Sequence, residues 1–181
     1  MSKVILVTGP ARSGKSEWAE ALANQSNKKV VYVATALLSP DDKQWQQRII
    51  QHRNRRPQSW TTLEAPFDLS NTISDAKPNT VMLVDSLGTW VANYIDKEDG
   101  YWLDIVEEFL ETVELVAAEI IFVAEETGWG VVPAYPAGQT FRDRLGSLTR
   151  KLGIVSQTTY LVTGGHVLNL SVLGNRLPSS E

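Results

Sequence analysis

The sequence predicts an α/β fold: a mainly parallel central sheet flanked by helices, a P-loop for nucleotide binding, and a C-terminal antiparallel hairpin. Three observations lead there. Five short runs rich in Val, Ile and Leu recur along the chain, and amphipathic stretches of helical length separate them. A GxxxxGK[ST] pattern joins the first apolar run to the first amphipathic stretch. Nearly continuous apolar runs suit strands covered on both faces. Their alternation with helices is the pattern of parallel strands joined by crossovers.

In chain order, "KVILVT" (3–8) is the first strand and 15–25 the first helix. "KVVYVA" (29–34) is the second strand, and a helix over 42–55 follows, with Asp41 or Asp42 as its cap and Pro57 as its stop. "TVMLVD" (80–85) leads into helices at 86–95 and 102–118, then "EIIFVA" (119–124). The glycine- and proline-rich stretch 128–138, "GWGVVPAYPAG", reads as an ordered or gating loop before a helix over 139–152. "TTYLVT" (158–163), a Gly-Gly pair and "HVLNLSVLG" supply the closing hairpin. No repeat or low-complexity linker interrupts this order, so 1–181 reads as one domain. Trp18, Trp90 and Trp102 are expected in the core or in subunit packing, whereas Trp129, between two glycines, has a claim to substrate contact.

Composition narrows the function. There is no cysteine, which excludes disulfides, thiol catalysis and thiolate-bound metals. With 17 basic and 21 acidic side chains, a broad nucleic-acid surface is not expected, although one basic cluster stands near residue 53. The first apolar run meets a glycine loop at once, so a secretory signal is not expected, and no stretch approaches 18 apolar residues. The expectation is a cytoplasmic protein without membrane insertion.

Gly9, Pro10, Ala11, Arg12, Ser13, Gly14, Lys15 and Ser16 form the phosphate loop. Its backbone N–H groups and the following helix N-terminus would cradle phosphate, Lys15 would reach the outer phosphates, and Ser16 would offer its hydroxyl to Mg2+. Asp85 closes a strand where a carboxylate can hold that ion; its other role is a helix cap near Ser86. Glu125 and Glu126 also end a strand, where they could organise a water or a substrate hydroxyl, or form a solvated turn.

In "DDKQWQQRIIQHRNRRPQSWTTLE" (41–64), Trp45, Ile49 and His52 share one helical face. His52 is open to two readings: a half-buried helical residue, or a nucleophile beside a phosphate-binding cluster of Arg53, Asn54, Arg55 and Arg56. The only other histidine is His166, in the late Gly-Gly turn.

Five blocks stand out: "LVTGPARSGKSEWAE", "VYVATA" (31–36), "RIIQHRNRRPQSW" (48–60), "LVDSLGTWVAN" (83–93) and "EETGWGVVP…FRDRLG" (125–146). Together they resemble the bifunctional adenosylcobinamide kinase/adenosylcobinamide-phosphate guanylyltransferase family of cobalamin biosynthesis. The resemblance implies phosphorylation of the aminopropanol hydroxyl of adenosylcobinamide, then transfer of GMP from GTP onto that phosphate through a guanylylated His52. It places the nucleotide on Gly9 to Ser16, on Ala34, Thr35 and Ala36, on Arg53 to Arg56, and on Glu64 and Asp85. Asp85 would then serve guanine nucleotide placement, magnesium, or both. GTP, or ATP in the kinase step, and a corrinoid are the implied substrates, and a homotrimer the implied assembly. The chain departs from the family pattern at Pro10, Gln44, Trp45, Glu125, Gln139 and Thr149. A kinase lacking the transferase step, or a nucleotide-binding regulator without turnover, are the competing readings.

Overall fold

The structure is a computed structural model that describes residues 3–37, 56–130 and 132–178. Seven strands form one sheet in the order β3-β2-β4-β5-β1-β6-β7. They are β1 (Val4–Gly9), β2 (Lys29–Ala34), β3 (Thr61–Glu64), β4 (Thr80–Asp85), β5 (Glu119–Glu125), β6 (Thr158–Thr163) and β7 (His166–Asn169). Every neighbouring pair is parallel except β6–β7, which closes the antiparallel hairpin through Gly164 and Gly165. The helices are α1 (Lys15–Gln25), α2 (Leu69–Ser74), α3 (Leu87–Asn93), α4 (Asp99–Leu115), α5 (Pro136–Val155) and the short α6 (Leu170–Leu173). No described helix is long and apolar enough to cross a membrane.

The apolar runs form strands because both of their faces are covered. Along β1, Ile5 and Val7 pack with Ala19 and Ala23 of α1, while Val4 and Leu6 enter a second core with α2, α3, α4 and α5. Alternate side chains of a strand point to opposite faces, so one central strand serves both cores. In the larger core, Trp90 is fully buried, with ring centroids 5.0 Å from Phe109 and 5.6 Å from both Tyr94 and Trp102. Trp90 and Trp102 thus take the core positions expected of them, and Trp18 packs edge-on against Tyr160 at 5.6 Å.

Buried charges are partnered. Glu119 at the start of β5 meets Lys3 at 3.1 Å and Lys28 at 3.2 Å. Arg144 of α5 donates to the carbonyls of Tyr94 (2.8 Å) and Lys97 (2.6 Å) and to Asp99 (2.7 Å), tying α5 to the α3–α4 junction. These bonds offset the cost of desolvating an ion.

Three elements lie outside the sequence expectation. The stretch "HVLNLSVLG" is a strand only as far as Asn169, whose side chain then caps the short helix α6 by accepting from Ser171 N. β3 is short, polar and exposed along its length, an edge strand held by pairing with β2 rather than by burial. α2 has six residues, too few to show a helical period, and is anchored by buried Leu69 and Ile73. The expected helix over 42–55 lies outside the described residues.

Replacing Trp90 by Ala deletes the centre of the aromatic cluster. The expected loss is about 3–5 kcal/mol of unfolding free energy, read as a lower urea midpoint with the near-ultraviolet aromatic signal reduced.

Candidate active site

Sheet register assembles the site. Gly9 pairs with Glu125, Ala34 pairs with both Asp85 and Glu64, and Asp85 pairs with Val123 two residues before Glu125. Parallel strands end on the same edge, so Gly9, Ala34, Glu64, Asp85 and Glu125 emerge together at the carboxyl edge. Ligand crevices of open α/β sheets lie along this edge.

The phosphate loop leaves β1 here. Any Cβ on Gly9 would stand 2.3 Å from the Val162 carbonyl, so β6 admits only glycine at that point. Arg12 (φ 57°) and Gly14 (φ 93°) are both left-handed, the kind of reversal that turns successive N–H groups toward one concavity. Gly14 is the N-cap of α1, which begins at Lys15. Lys15 is buried, and its Nζ donates to the Pro10 carbonyl at 3.4 Å. The ring of Pro10 removes an N–H, yet its carbonyl also accepts from Ser13 N at 3.3 Å, so this residue still closes the loop. The Ser13 hydroxyl is enclosed without a hydrogen-bond partner among the described residues.

Opposite the loop stands Asp85. Ser16 Oγ donates to Asp85 Oδ1 at 3.3 Å, and the Tyr32 hydroxyl donates to Asp85 Oδ2 at 3.2 Å. Burial first, and the Asp85 charge second, push the Tyr32 phenol far up, which keeps it a protonated donor. The Arg56 guanidinium lies 3.2 Å above the Tyr32 ring and 3.8 Å from Glu20. Tyr32 is the site residue that sequence reasoning missed; the one signal for it was a polar-tipped aromatic inside an otherwise apolar strand. The cap of α3 is Ser86, with a capping box to Thr89, which leaves Asp85 to Ser16 and Tyr32.

The remaining expected residues divide. The Thr35 hydroxyl is buried against the Ser86 carbonyl and Thr89 Oγ1, both at 2.6 Å, locking the end of β2 to the start of α3. Glu64 is exposed at the sheet edge. His52, Arg53, Asn54 and Arg55 lie outside the described residues.

Glu125 and Glu126 are not a solvated turn. Glu125 accepts from Gly88 N at 2.9 Å, and a Cβ on Gly88 would stand 2.1 Å from that carboxylate oxygen. Burial raises the Glu125 pKa against the lowering effects of a hydrogen bond from Ser86 and the charge of Lys15. Glu126 accepts from Thr8 Oγ1 at 2.6 Å, and its N–H donates to the Gly9 carbonyl at 2.9 Å.

Hydroxyl and carboxylate oxygens at Ser16 and Asp85 suit a hard divalent cation. No group of three His, Cys, Asp or Glu side chains forms a metal cage among the described residues. Such an ion would therefore need phosphate and water oxygens to complete its shell.

A phosphate loop facing a strand-end aspartate, on the carboxyl edge of a parallel sheet, defines a nucleotide-binding P-loop enzyme. The family model described as cobinamide kinase / cobinamide phosphate guanyltransferase matches residues 5–170. The chain belongs to that family, and the two activities in that description are its function. It is 39% identical over 162 residues to the bifunctional adenosylcobalamin biosynthesis protein CobP of Pseudomonas aeruginosa, covering 88% of this chain and 92% of the relative. It is 35% identical over 177 residues to the bifunctional adenosylcobalamin biosynthesis protein CobU of Escherichia coli, covering 90% and 96%. Among solved structures, a protein of Pyrococcus horikoshii superposes with a TM-score of 0.57 at 8% identity, covering 98% of this chain and 92% of that one. The ATP synthase subunit NeqB of Nanoarchaeum equitans superposes at 0.56 and 12% identity, covering 96% and 53%. These two likenesses concern the fold alone.

The raised pKa of Glu125 sets a pH dependence. At low pH both folded and unfolded chains hold the proton. As pH rises past the ordinary Glu value, the unfolded chain releases it first and stability falls, until pH passes the raised folded value. Glu125→Gln retains an oxygen for the Gly88 N–H and removes this loss. Its unfolding free energy should therefore gain on the parent protein as pH rises above the ordinary Glu value of about 4.3, measured by urea titration at each pH.

Proposed function

We propose that this chain runs its two reactions at the carboxyl edge of the sheet with a divided set of residues. The convergence of Lys15, Ser16 and Asp85 carries the reading: Ser16 and Asp85 are within 3.3 Å, and Lys15 stands buried at the same loop. Gly9 to Ser16 hold the triphosphate, and Lys15 stabilises charge on the transferred phosphoryl group. Ser16 and Asp85 hold Mg2+, which when bound neutralises phosphate charge. Ala34, Thr35 and Ala36, together with Arg53, Asn54, Arg55, Arg56 and Glu64, hold the guanine nucleotide, which Asp85 also serves. GTP or ATP supplies the kinase step.

In the second reaction, a ring nitrogen of His52 attacks the α-phosphorus of GTP. An N–P bond forms, the α–β bridging P–O bond breaks, and pyrophosphate leaves with the electron pair. A phosphate oxygen of cobinamide phosphate then attacks the same phosphorus. The N–P bond breaks, and the imidazole is restored as adenosyl-GDP-cobinamide forms. The reading includes a single domain over 1–181, working as a homotrimer in the cytoplasm.

Incubation with α-labelled GTP and Mg2+ tests the histidine step. Label should become bound to protein, labile to acid and stable to base, and should vanish in His52→Gln. Label that persists in that variant overturns the role of His52. Following cobinamide phosphate and GDP-cobinamide together separates this enzyme from a kinase alone, and GTP binding without either product would indicate a regulator. Lys15→Met should lower the kinase kcat by about 10²–10³-fold while His52→Gln leaves cobinamide phosphate formation intact.

A further inference from the structure

A cavity of about 410 Å³ lies between α5 and the sheet, beside the phosphate loop. Along α5, Arg142, Gly146, Thr149 and Gly153 line it at spacings of four, three and four, which is one helical face. Leu6 and Thr8 of β1 line it from the sheet. Glycine is a poor residue for a helix interior, and packing does not require it at Gly146. A Cβ built there meets nothing within 4 Å. The missing side chain is cavity space.

Thr8, which lines this space, immediately precedes Gly9 of the phosphate grip. Glu126 lines the same space while its N–H holds the Gly9 carbonyl and its carboxylate holds Thr8. At the other side, the Arg142 stem passes 3.9 Å from where a Gly128 Cβ would lie. Its guanidinium is steadied by Asp143, with Nε at 2.9 Å and Nη2 at 2.8 Å from Oδ1. Trp129 lines the cavity with 66% of its surface exposed, and Val132 and Tyr135 are exposed nearby in the chain. A volume near the small end of ligand pockets admits a short chain but not a macrocycle.

We propose that this cavity is the acceptor subsite of the kinase step. It takes the aminopropanol arm of the corrinoid with its hydroxyl against Glu126 and its new phosphate against Arg142. The macrocycle stays outside, against the exposed side chains of Trp129, Val132 and Tyr135. This subsite rests on the kinase reading above. In the transfer, the hydroxyl proton passes to the Glu126 carboxylate and the hydroxyl oxygen bonds to the γ-phosphorus. The bond from that phosphorus to the bridging oxygen breaks, and its electron pair leaves on the nucleoside diphosphate. Glu126 then returns the proton to solvent. The product dianion is repelled by Glu125 and Glu126 and drawn to Arg142 and Arg150, which line the same cavity.

Gly146→Leu tests the subsite, because it adds a side chain on the cavity face, at a position where a Cβ meets no heavy atom within 4 Å, and improves helix propensity. Kinase assays with adenosylcobinamide and GTP should show the acceptor KM raised about tenfold or more, with GTP affinity and the unfolding midpoint retained. Gly146→Ala should fall between. The O-phosphate of N-acetyl-1-amino-2-propanol should bind the parent protein and bind Arg142→Ala about tenfold more weakly. Glu126→Gln, which can still accept from Thr8, should lower kcat about 10²-fold or more without raising the acceptor KM. An unchanged acceptor KM in Gly146→Leu, or an equal loss of GTP affinity, overturns the subsite while leaving the kinase reading in place. Parent protein that binds GTP yet never phosphorylates cobinamide overturns the kinase reading and the subsite together.

Discussion

The register of the parallel sheet, with Gly9 beside Glu125 and Ala34 beside Asp85, is the constraint on which the rest of this structure depends. A shift of one residue would turn each strand's side chains to the other face and separate the phosphate loop from its aspartate. Register is strongly specified here because both faces of the central strands are buried. Val4 and Leu6 fit only the core of α2 to α5, and Ile5 and Val7 only the core under α1. The same packing that stabilises the fold therefore aligns the chemistry at its edge.

At that edge, opposite charges are held in fixed places by neutral groups. Tyr32 stays protonated and donates to Asp85, while Gly88 N donates to Glu125. Lys15 is buried at the loop that faces them. A nucleotide-using site benefits from such preorganisation because little reorientation remains when phosphate charge moves. The cost is visible in Glu125, whose ionised form is disfavoured by burial.

Side chains that are absent shape the site as much as those present. Gly9 lets β6 approach the loop, and Gly88 leaves room for the Glu125 carboxylate. Gly146 leaves a cavity on a helix that would be more stable with alanine there. The first two glycines answer a contact; the third answers open space.

Much of this was legible in the sequence. The apolar runs named five strands, the GxxxxGK[ST] pattern named Lys15 and Ser16, and a strand-end carboxylate pointed to Asp85. The exposed strand β3 and the six-residue α2 escaped because neither carries enough periodic apolar signal. By itself, the sequence determined which five apolar segments become strands and which residues can grip phosphate, because both follow from local pattern and spacing. Only the tertiary structure decided that β5 lies between β1 and β4, that Tyr32 meets Asp85, and that the empty face of α5 opens beside Glu126. Those three are long-range contacts, set by how two cores pack across one sheet, and local periodicity carries no record of them.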